Sequence, residues 1–217
     1  MMDGLYTELM AQGPGDPFDR HVLASAIASG FAPPDVLLTD TLALSLTDLR
    51  FLLARLFPHA LSLLDVHPSW RGPQADADEE PALRALLHDN RSRDSDPDMV
   101  RWLARLIARR SLGHRHLWED LGLTSRAELG RLMAQHFRPL SDSNPGMRWK
   151  KYFYRTLCEQ DGVLLCKAPN CAVCEDYALC FVEGENLVAA TLGTSASVVT
   201  PASGPGRGPV GGHTGLA

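Results

Sequence analysis

Four cysteines lie close together near the end of the chain, and they are the residues best suited to chemistry. The stretch CKAPNCAVCEDYALC holds them in the spacing C-x4-C-x2-C-x5-C: Cys166, Cys171, Cys174 and Cys180. Thiolates are soft ligands that suit iron–sulfur clusters and zinc, so four of them this close in sequence can surround one metal centre. The fifth cysteine, Cys158, lies eight residues before this cysteine cluster. We expect Cys158 to be a small buried apolar side chain on a helix.

The spacing of the cysteine cluster favours an iron–sulfur centre over zinc without excluding zinc. Structural zinc sites usually combine two C-x2-C pairs across a longer loop, whereas this chain has one such pair. Plant-type ferredoxins use C-x4-C-x2-C with a distant fourth cysteine, which is a precedent for the first three positions. The x2-x5 ending also resembles the cluster loop of endonuclease III-type DNA glycosylases. The chain has no Leu-Pro-Gly-Val-Gly hairpin motif, so that second resemblance has no support elsewhere.

The composition is that of an ordinary globular chain. Its 217 residues suggest one domain with tails, and a hydrophobic content of 45% is sufficient for a core. A net charge of −5 disfavours non-specific binding to nucleic acid. We find no signal-peptide pattern and no apolar run near the roughly 20 residues that a membrane span needs, so a cytoplasmic location is expected. In that compartment, clustered cysteines bind metal more often than they form disulfides.

Helices are the elements expected to position the cysteine cluster. In the first half of the chain, Asp19 and Thr47 are placed to cap helices, because each precedes an apolar, helically spaced segment. Asp96 and Pro97 predict the start of a further helix, since proline suits the first helical position. The apolar face of that helix consists of Met99, Trp102, Leu103, Leu106 and Ile107. No alternating strand pattern is convincing anywhere in the chain.

Two more helices are predicted in the second half of the chain, before the cysteines. Ser125 and Glu128 have the spacing of a capping box at the start of the first one. The second one is predicted to begin at Pro145 or Gly146 and to end at Glu159. Its apolar stripe consists of Trp149, Phe153 and Leu157. This last helix therefore leads towards the cysteine cluster.

The cysteine cluster and the helix before it carry a family resemblance. The stretch 147–181, MRWKKYFYRTLCEQDGVLLCKAPNCAVCEDYALCF, resembles the C-terminal signature of the NifQ family of nitrogenase cofactor assembly. Four short motifs in this stretch make the resemblance specific. Arg-Trp-Lys-Lys and Leu-Cys-Glu precede the cysteine cluster, Cys-Lys-Ala-Pro begins it, and Cys-Phe ends it. Weaker similarity upstream extends the resemblance over about residues 20–182.

The resemblance implies a protein that carries molybdenum on an iron–sulfur cluster and donates it for biosynthesis of the nitrogenase iron–molybdenum cofactor. The implied cofactor is a cluster of molybdenum, iron and sulfide held by the four clustered cysteines, with molybdate as the metal source. The implied partners are cofactor-assembly proteins, including the scaffold and the nitrogenase iron protein. The alternatives are an iron–sulfur electron carrier and a zinc-stabilised interaction module. Because the chain has no catalytic motif, we expect that it is not an enzyme.

Basic residues surround the cysteine cluster in sequence. Arg148, Lys151 and Arg155 recur at i, i+3 and i+7 and therefore share a helical face, and Lys167 lies inside the loop. These cations are suited to attract molybdate, balance cluster charge or dock an acidic partner. A solvated basic face is the equally open alternative. Histidines can supply a nitrogen ligand to an exposed metal corner, and the candidates are His116, ranked first, with His114 and His136.

The fold class is accordingly mainly α: a helical domain with an irregular C-terminal cysteine-rich metal-binding loop and a disordered tail. We predict a flexible N-terminus over residues 1–18, a helical domain over 19–182 with the cysteine cluster at 166–180, and a tail over 183–217. The tail is rich in Gly, Ser and Pro and has few large apolar groups, so disorder is expected. It lies beyond the resemblance and is not expected to carry the shared function.

Overall fold

All regular structure in the described part of the chain is helical. The computed structural model describes residues 2–30, 37–65 and 79–160. Its helices are α1 (Met2–Ala11), α2 (Pro17–Gly30), α3 (Leu38–Leu42), α4 (Leu46–Leu56), a 3₁₀ helix (Pro58–Asp65), α5 (Glu79–Asp89), α6 (Pro97–Ser111), α7 (Leu117–Asp120), α8 (Arg126–His136), α9 (Arg138–Ser143) and α10 (Trp149–Gln160). The predicted mainly α fold is confirmed for these ranges. The predicted cysteine loop and tail lie outside the described residues.

Helix α6 runs through the centre of the core. Trp102 and Ile107 on its apolar face are completely buried, and the helix packs against α3, α5 and α7. Asp96 caps its start, because one carboxylate oxygen accepts hydrogen bonds from the backbone N–H groups of Asp98 at 2.9 Å and Met99 at 3.0 Å. The predicted cap and the predicted apolar face of this helix are both confirmed.

The N-terminal segment is helical, so the prediction of a flexible N-terminus over residues 1–18 does not describe it. Leu9 of α1 is completely buried. Arg20 of α2 is also buried, and its guanidinium donates hydrogen bonds to carbonyl oxygens at the end of α1 and just after it: those of Leu9, Met10, Gln12 and Gly13. The last carbonyls of a helix have no partner within the helix, and Arg20 supplies the missing donors. The sequence of α1 alone does not reveal this partner.

Two helix starts differ from the predicted ones. The carboxylate of Asp16, not Asp19, accepts from backbone N–H groups in the first turn of α2, at 2.9 and 3.0 Å. Asp19 instead directs its carboxylate towards His136 at 2.7 Å. At α4 the capping residue is Ser45, not Thr47. The hydroxyl of Ser45 accepts a hydrogen bond from the backbone N–H of Asp48 at 3.0 Å. In both cases a neighbouring polar residue takes the capping role.

Helices α8 to α10 lead towards the cysteine cluster. Ser125 caps α8 as predicted, since its hydroxyl accepts from the backbone N–H of Glu128 at 3.3 Å. Helix α10 begins at Trp149, later than predicted, because the side chain of Asn144 bonds the backbone N–H and carbonyl of Met147 and holds a turn ahead of the helix. Phe153 is completely buried, and α10 packs against α5. None of the helices in these ranges is both long enough and apolar enough to cross a membrane.

Candidate functional site

The last described helix, α10, leads directly into the cysteine cluster. It ends at Gln160, and the first clustered cysteine, Cys166, follows six residues later. All four clustered cysteines and Lys167 lie outside the described residues, so their assignment as ligands or neighbours of a metal stays a prediction. Cys158 lies in the last turn of α10, where it is half-buried. Its place on a helix is as expected, but the side chain is not fully buried.

Lys150, in the first turn of α10, anchors this helix to the loop between α6 and α7. Its ammonium donates to the backbone oxygens of Gly113 and Arg115, both at 2.7 Å, and to the carboxylate of Asp120 at 2.6 Å. An ammonium group has three donors, and all three are used here. Only 15% of the Lys150 side chain and 10% of the Asp120 side chain are exposed. Lys150 is thus an internal attachment point for α10.

A glycine makes this attachment possible. A Cβ atom added at Gly113 would lie 2.5 Å from a carboxylate oxygen of Asp120, which is closer than real Cβ atoms approach. The carboxylate therefore reaches Lys150 only because residue 113 has no side chain. Asp120 and Gly113 were not among the predicted site residues. Both lie within the range of the family resemblance, about residues 20–182, but their pairing with Lys150 is not visible in sequence.

Positive charge exceeds negative charge around Asp120. Besides Lys150, the guanidinium of Arg115 lies 3.4 Å from the second carboxylate oxygen. Burial lowers the pKa of Arg110 nearby; the Asp120 carboxylate opposes this shift, and the charges of Arg115 and Arg109 add to it. The hydrogen bonds of the Arg110 guanidinium to Ala26 and Ser29 are long, at 3.5 Å. One carboxylate thus faces several cations at the start of α10, which favours the approach of an anion.

The predicted basic face lies on α10 and just before it. Arg148 and Lys151 are half-buried, and both interact with other groups. Arg155 is exposed and pairs with Glu159 at 2.7 Å along the same helix. A pair of this kind on the surface contributes little to stability, so Arg155 can exchange Glu159 for another anion at small cost.

His116, the histidine ranked first as a metal ligand, has a structural role in the described arrangement. It precedes α7, and its backbone N–H donates to the Glu119 side chain at 2.9 Å. Its ring Nε2 lies 3.3 Å from a guanidinium nitrogen of Arg126. Arginine has only donors, so Nε2 accepts, and the lone pair that a metal would need is already directed at a cation. His114 is exposed.

His136 is held inside the core. Its Nε2 lies 2.7 Å from the carboxylate of Asp19, and its Nδ1 lies 3.3 Å from the hydroxyl of Ser95. Both ring nitrogens therefore have partners, and the ring joins α8 to α2 and to the segment before α6. Within residues 4–30, 37–64 and 79–160, no group of three or more His, Cys, Asp or Glu side chains is arranged to hold a metal ion.

Comparisons with known proteins agree on one family. The NifQ family model matches residues 22–182, a range that includes the whole cysteine cluster. The chain is 41% identical over 201 residues to the protein NifQ homolog of Sinorhizobium fredii, covering 86% of this chain and 84% of that one. It is 39% identical over 181 residues to protein NifQ of Rhodobacter capsulatus, covering 81% of this chain and 97% of that one.

A third relative matches over a shorter range. The chain is 47% identical over 105 residues to protein NifQ of Azotobacter vinelandii, which is 48% of this chain and 53% of that protein. No solved structure matches the chain. The similarity is therefore one of sequence, and it extends over most of the helices described above.

Proposed function

Because the chain belongs to the NifQ family, we propose that it binds molybdenum with an iron–sulfur cluster and donates that molybdenum for biosynthesis of the nitrogenase iron–molybdenum cofactor. Family membership itself implies a role in nitrogen fixation. The donor role is the finer part of the proposal. The main support for the donor role is that four cysteines lie within fifteen residues, inside the family match and shortly after α10.

Thiolate chemistry supports the proposal. Soft sulfur ligands suit iron in sulfide clusters, and three cysteines are sufficient to bind three iron corners of a cubane. The fourth corner is then available to a different metal with exchangeable ligands, as delivery requires. Cys166, Cys171, Cys174 and Cys180 are the proposed ligands. Four thiolates that enclosed the cluster completely would favour electron transfer instead.

The basic residues near α10 have a place in the same proposal. Molybdenum enters as molybdate, an oxyanion that accepts charge-assisted hydrogen bonds. Arg148, Lys151, Arg155 and Lys167 are proposed to attract this anion or to balance the charge of the cluster. The excess of positive charge around Asp120, at the start of α10, supports this assignment. The protein acts in this proposal as a carrier, not as an enzyme, and its partners are cofactor-assembly proteins, including the scaffold and the nitrogenase iron protein.

Metal analysis of anaerobically purified protein tests the cluster. We expect iron, sulfide and molybdenum in the wild-type protein and the loss of most iron from Cys171→Ala and Cys174→Ala, because this C-x2-C pair binds as one unit. Cys158→Ser is the matched control and is expected to retain more iron. Iron and sulfide without molybdenum would indicate an electron carrier, and zinc alone would indicate a structural module. Loss of the cluster in Cys158→Ser alone would contradict the proposed ligand set.

Growth on dinitrogen across a molybdate series tests the donor role. Deletion of the gene is expected to impair growth at low molybdate, and excess molybdate is expected to relieve the defect by mass action. Cysteine-cluster variants should behave like the deletion. An electron carrier or a zinc module predicts no relief, since added molybdate replaces neither electrons nor a structural site. A growth defect that stays constant across the series would rule out molybdenum donation.

A further inference from the structure

Charge is distributed unevenly along this chain. Residues 1–98 contain seven Lys or Arg and sixteen Asp or Glu, whereas residues 99–155 contain twelve Lys or Arg and four Asp or Glu. The chain as a whole has a net charge of −5. A strongly basic region is therefore part of an acidic protein, and helices α6 to α10 lie almost entirely within it.

One side of α8 faces away from the core and has no large apolar side chain. Ala127 and Ala134 are exposed, and Gly130 lies between them on the same side. A Cβ atom added at Gly130 would meet no described atom within 4 Å. The opposite side of the helix is buried in the core through Leu129, Leu132 and Met133. The outer side is therefore a flat helix face that no described residue covers.

Arg131 projects from this face in a fixed orientation. Its guanidinium carbon lies 3.9 Å from the centre of the Phe18 ring, so the group is stacked on an aromatic surface. The structure gives Arg131 no hydrogen bond or ion pair with a described residue. Stacking orients the guanidinium plane and leaves its N–H edge available for a bidentate bond to a carboxylate. Arg138, at the start of α9, is also exposed and makes no ion pair within the described ranges.

Two carboxylates beside Arg131 already have other partners, whereas Asp94 and Asp142, which line a cavity together with Arg138, are exposed. Glu128, on α8 itself, accepts from the backbone N–H of Thr124 at 2.8 Å and lies 3.4 Å from the ring of His21. Asp19 is bound by His136 and by the amide of Gln135. Neither carboxylate neutralises Arg131. Arg131 is therefore a stacked cation without an ion pair in the described part of the chain.

We propose that the outer face of α8, centred on Arg131 with Arg138 at its end, docks an acidic helix of a partner protein. The small side chains allow close approach of a second helix, and the unpaired guanidinium groups receive its carboxylates. A partner protein fits better than nucleic acid, because an extended polyanion would also meet the acidic residues of the first half of the chain. The proposal does not rest on metal binding or on the proposed donor function.

Binding of a synthetic acidic peptide to the full-length chain tests this surface. The probe is a helical peptide of about twenty residues with Glu at i, i+4 spacing and Ala elsewhere, and fluorescence anisotropy gives its Kd. We expect Arg131→Glu combined with Arg138→Glu to weaken binding about tenfold or more, with a larger loss at low salt. The matched control is Arg50→Glu, which should change Kd less than about twofold. Arg50 is exposed on α4 and has no ion pair among residues 4–30, 37–64 and 79–160.

Further measurements separate the possible occupants of the face. Arg131→Lys keeps the positive charge but removes the planar guanidinium, so it should weaken peptide binding less than Arg131→Glu does. The melting temperature of each variant shows whether it is folded. Equal weakening by Arg50→Glu, or no binding by the wild-type chain, would overturn the proposal. So would tighter binding of an oligonucleotide of equal charge. Self-association at low salt that Arg131→Glu abolishes would instead assign the face to a second copy of this chain.

Discussion

Two groups of arginines in this protein meet different surroundings. On α4, on α6 and at the cap of α6, three arginines and three carboxylates form one charge network: Arg55, Arg101 and Arg105 with Asp48, Asp96 and Asp98. On the outer side of α8 and at the start of α9, Arg131 and Arg138 have no carboxylate partner among the described residues. The same residue type thus joins helices in one region and presents unpaired charge to solvent in the other.

The role of an arginine in a basic region depends on the carboxylates near it in space. Arginine count alone does not distinguish the two groups, since α6 is as rich in arginine as any segment of the chain. The distinguishing feature is the number of carboxylates within reach in space, and many of these come from distant parts of the sequence. Asp48, for example, is more than fifty residues from the two arginines of α6 that it binds.

The largest expected effect comes from the most deeply buried ion pair. Arg109 of α6 donates to Glu80 at 2.9 Å and to the backbone oxygen of Asp40 at 2.8 Å, and both charged side chains are buried. Arg109→Met leaves the carboxylate buried and unpaired, so we expect a loss of about 3–5 kcal/mol in the free energy of unfolding. Urea denaturation measures it. Arg84→Met removes an arginine of α5 that has no ion pair with a described residue, and it should cost less than about 1 kcal/mol.

Lys150 lies in the basic region but is paired with a carboxylate, like the arginines of the α4–α6 charge network. Lys150→Met removes three hydrogen bonds and leaves Asp120 with Arg115 alone, at 3.4 Å. We expect a loss of about 2–3 kcal/mol in stability, measured by urea denaturation. If the chain binds a cluster as proposed, its iron content should fall as well, because the start of α10 is released. If Lys150→Met were as stable as the wild-type protein, the bond between Lys150 and Asp120 would not contribute to folding.

The α4–α6 charge network is expected to fail in acid. Burial raises the pKa of Asp48, but hydrogen bonds from Ser45 and Arg101 and the charges of Arg101 and Arg105 outweigh this and hold it below its ordinary 3.8. A pKa that is lower in the folded state adds stability above the unfolded pKa, and this is lost as pH falls through the folded pKa.

Asp48→Asn measures that contribution. Because the arginines are partly exposed, we expect the variant to lose only about 1 kcal/mol at neutral pH. The difference from wild type should shrink as pH falls below 3.8, the ordinary pKa of this carboxyl group. Urea denaturation at several pH values gives the comparison, with Asp94→Asn, an exposed carboxylate without a partner in the described ranges, as the control. A constant difference at all pH values would contradict the network.

The smallest expected effect lies on the outer face of α8. Arg138→Gln removes an exposed, unpaired charge and should change stability by no more than about 0.5 kcal/mol. Arg131→Gln also loses its stacking on Phe18 and should cost about 0.5–1 kcal/mol. Thermal denaturation compares both with the variants above. A larger loss in either would mean that this face contributes to folding and is not reserved for a partner.

Local sequence signals predicted much of the fold. Pro97 after Asp96, and Ser125 before α8, mark helix starts that depend only on neighbouring residues, and both are confirmed. Helix α1 was missed because the donor that completes its end, Arg20, comes from another helix. The cap expected at Asp19 was wrong because His136, more than a hundred residues away, binds that carboxylate.

The candidate site was predictable to a similar extent. The spacing of the cysteine cluster and its family resemblance can be read directly from sequence, because they are local. The attachment of Lys150 to Asp120 cannot, because it joins residues thirty positions apart through a space that only a glycine leaves open. The same limit applies to Arg131, whose stacking on Phe18 depends on how α8 packs against α2.

Helix α10 is unevenly supported along its length. Lys150 and Phe153 fix its first half, whereas Arg155 is 44% exposed, Glu159 is 54% exposed and Gln160 is exposed as well. Opening of a weakly packed terminal turn costs far less free energy than global unfolding. The final turn can therefore unwind while the core stays folded, and its amides should exchange hydrogen with solvent sooner than those near Phe153. In the proposed donor role, such a weakly packed turn just before the cysteine cluster would ease release of the metal to another protein.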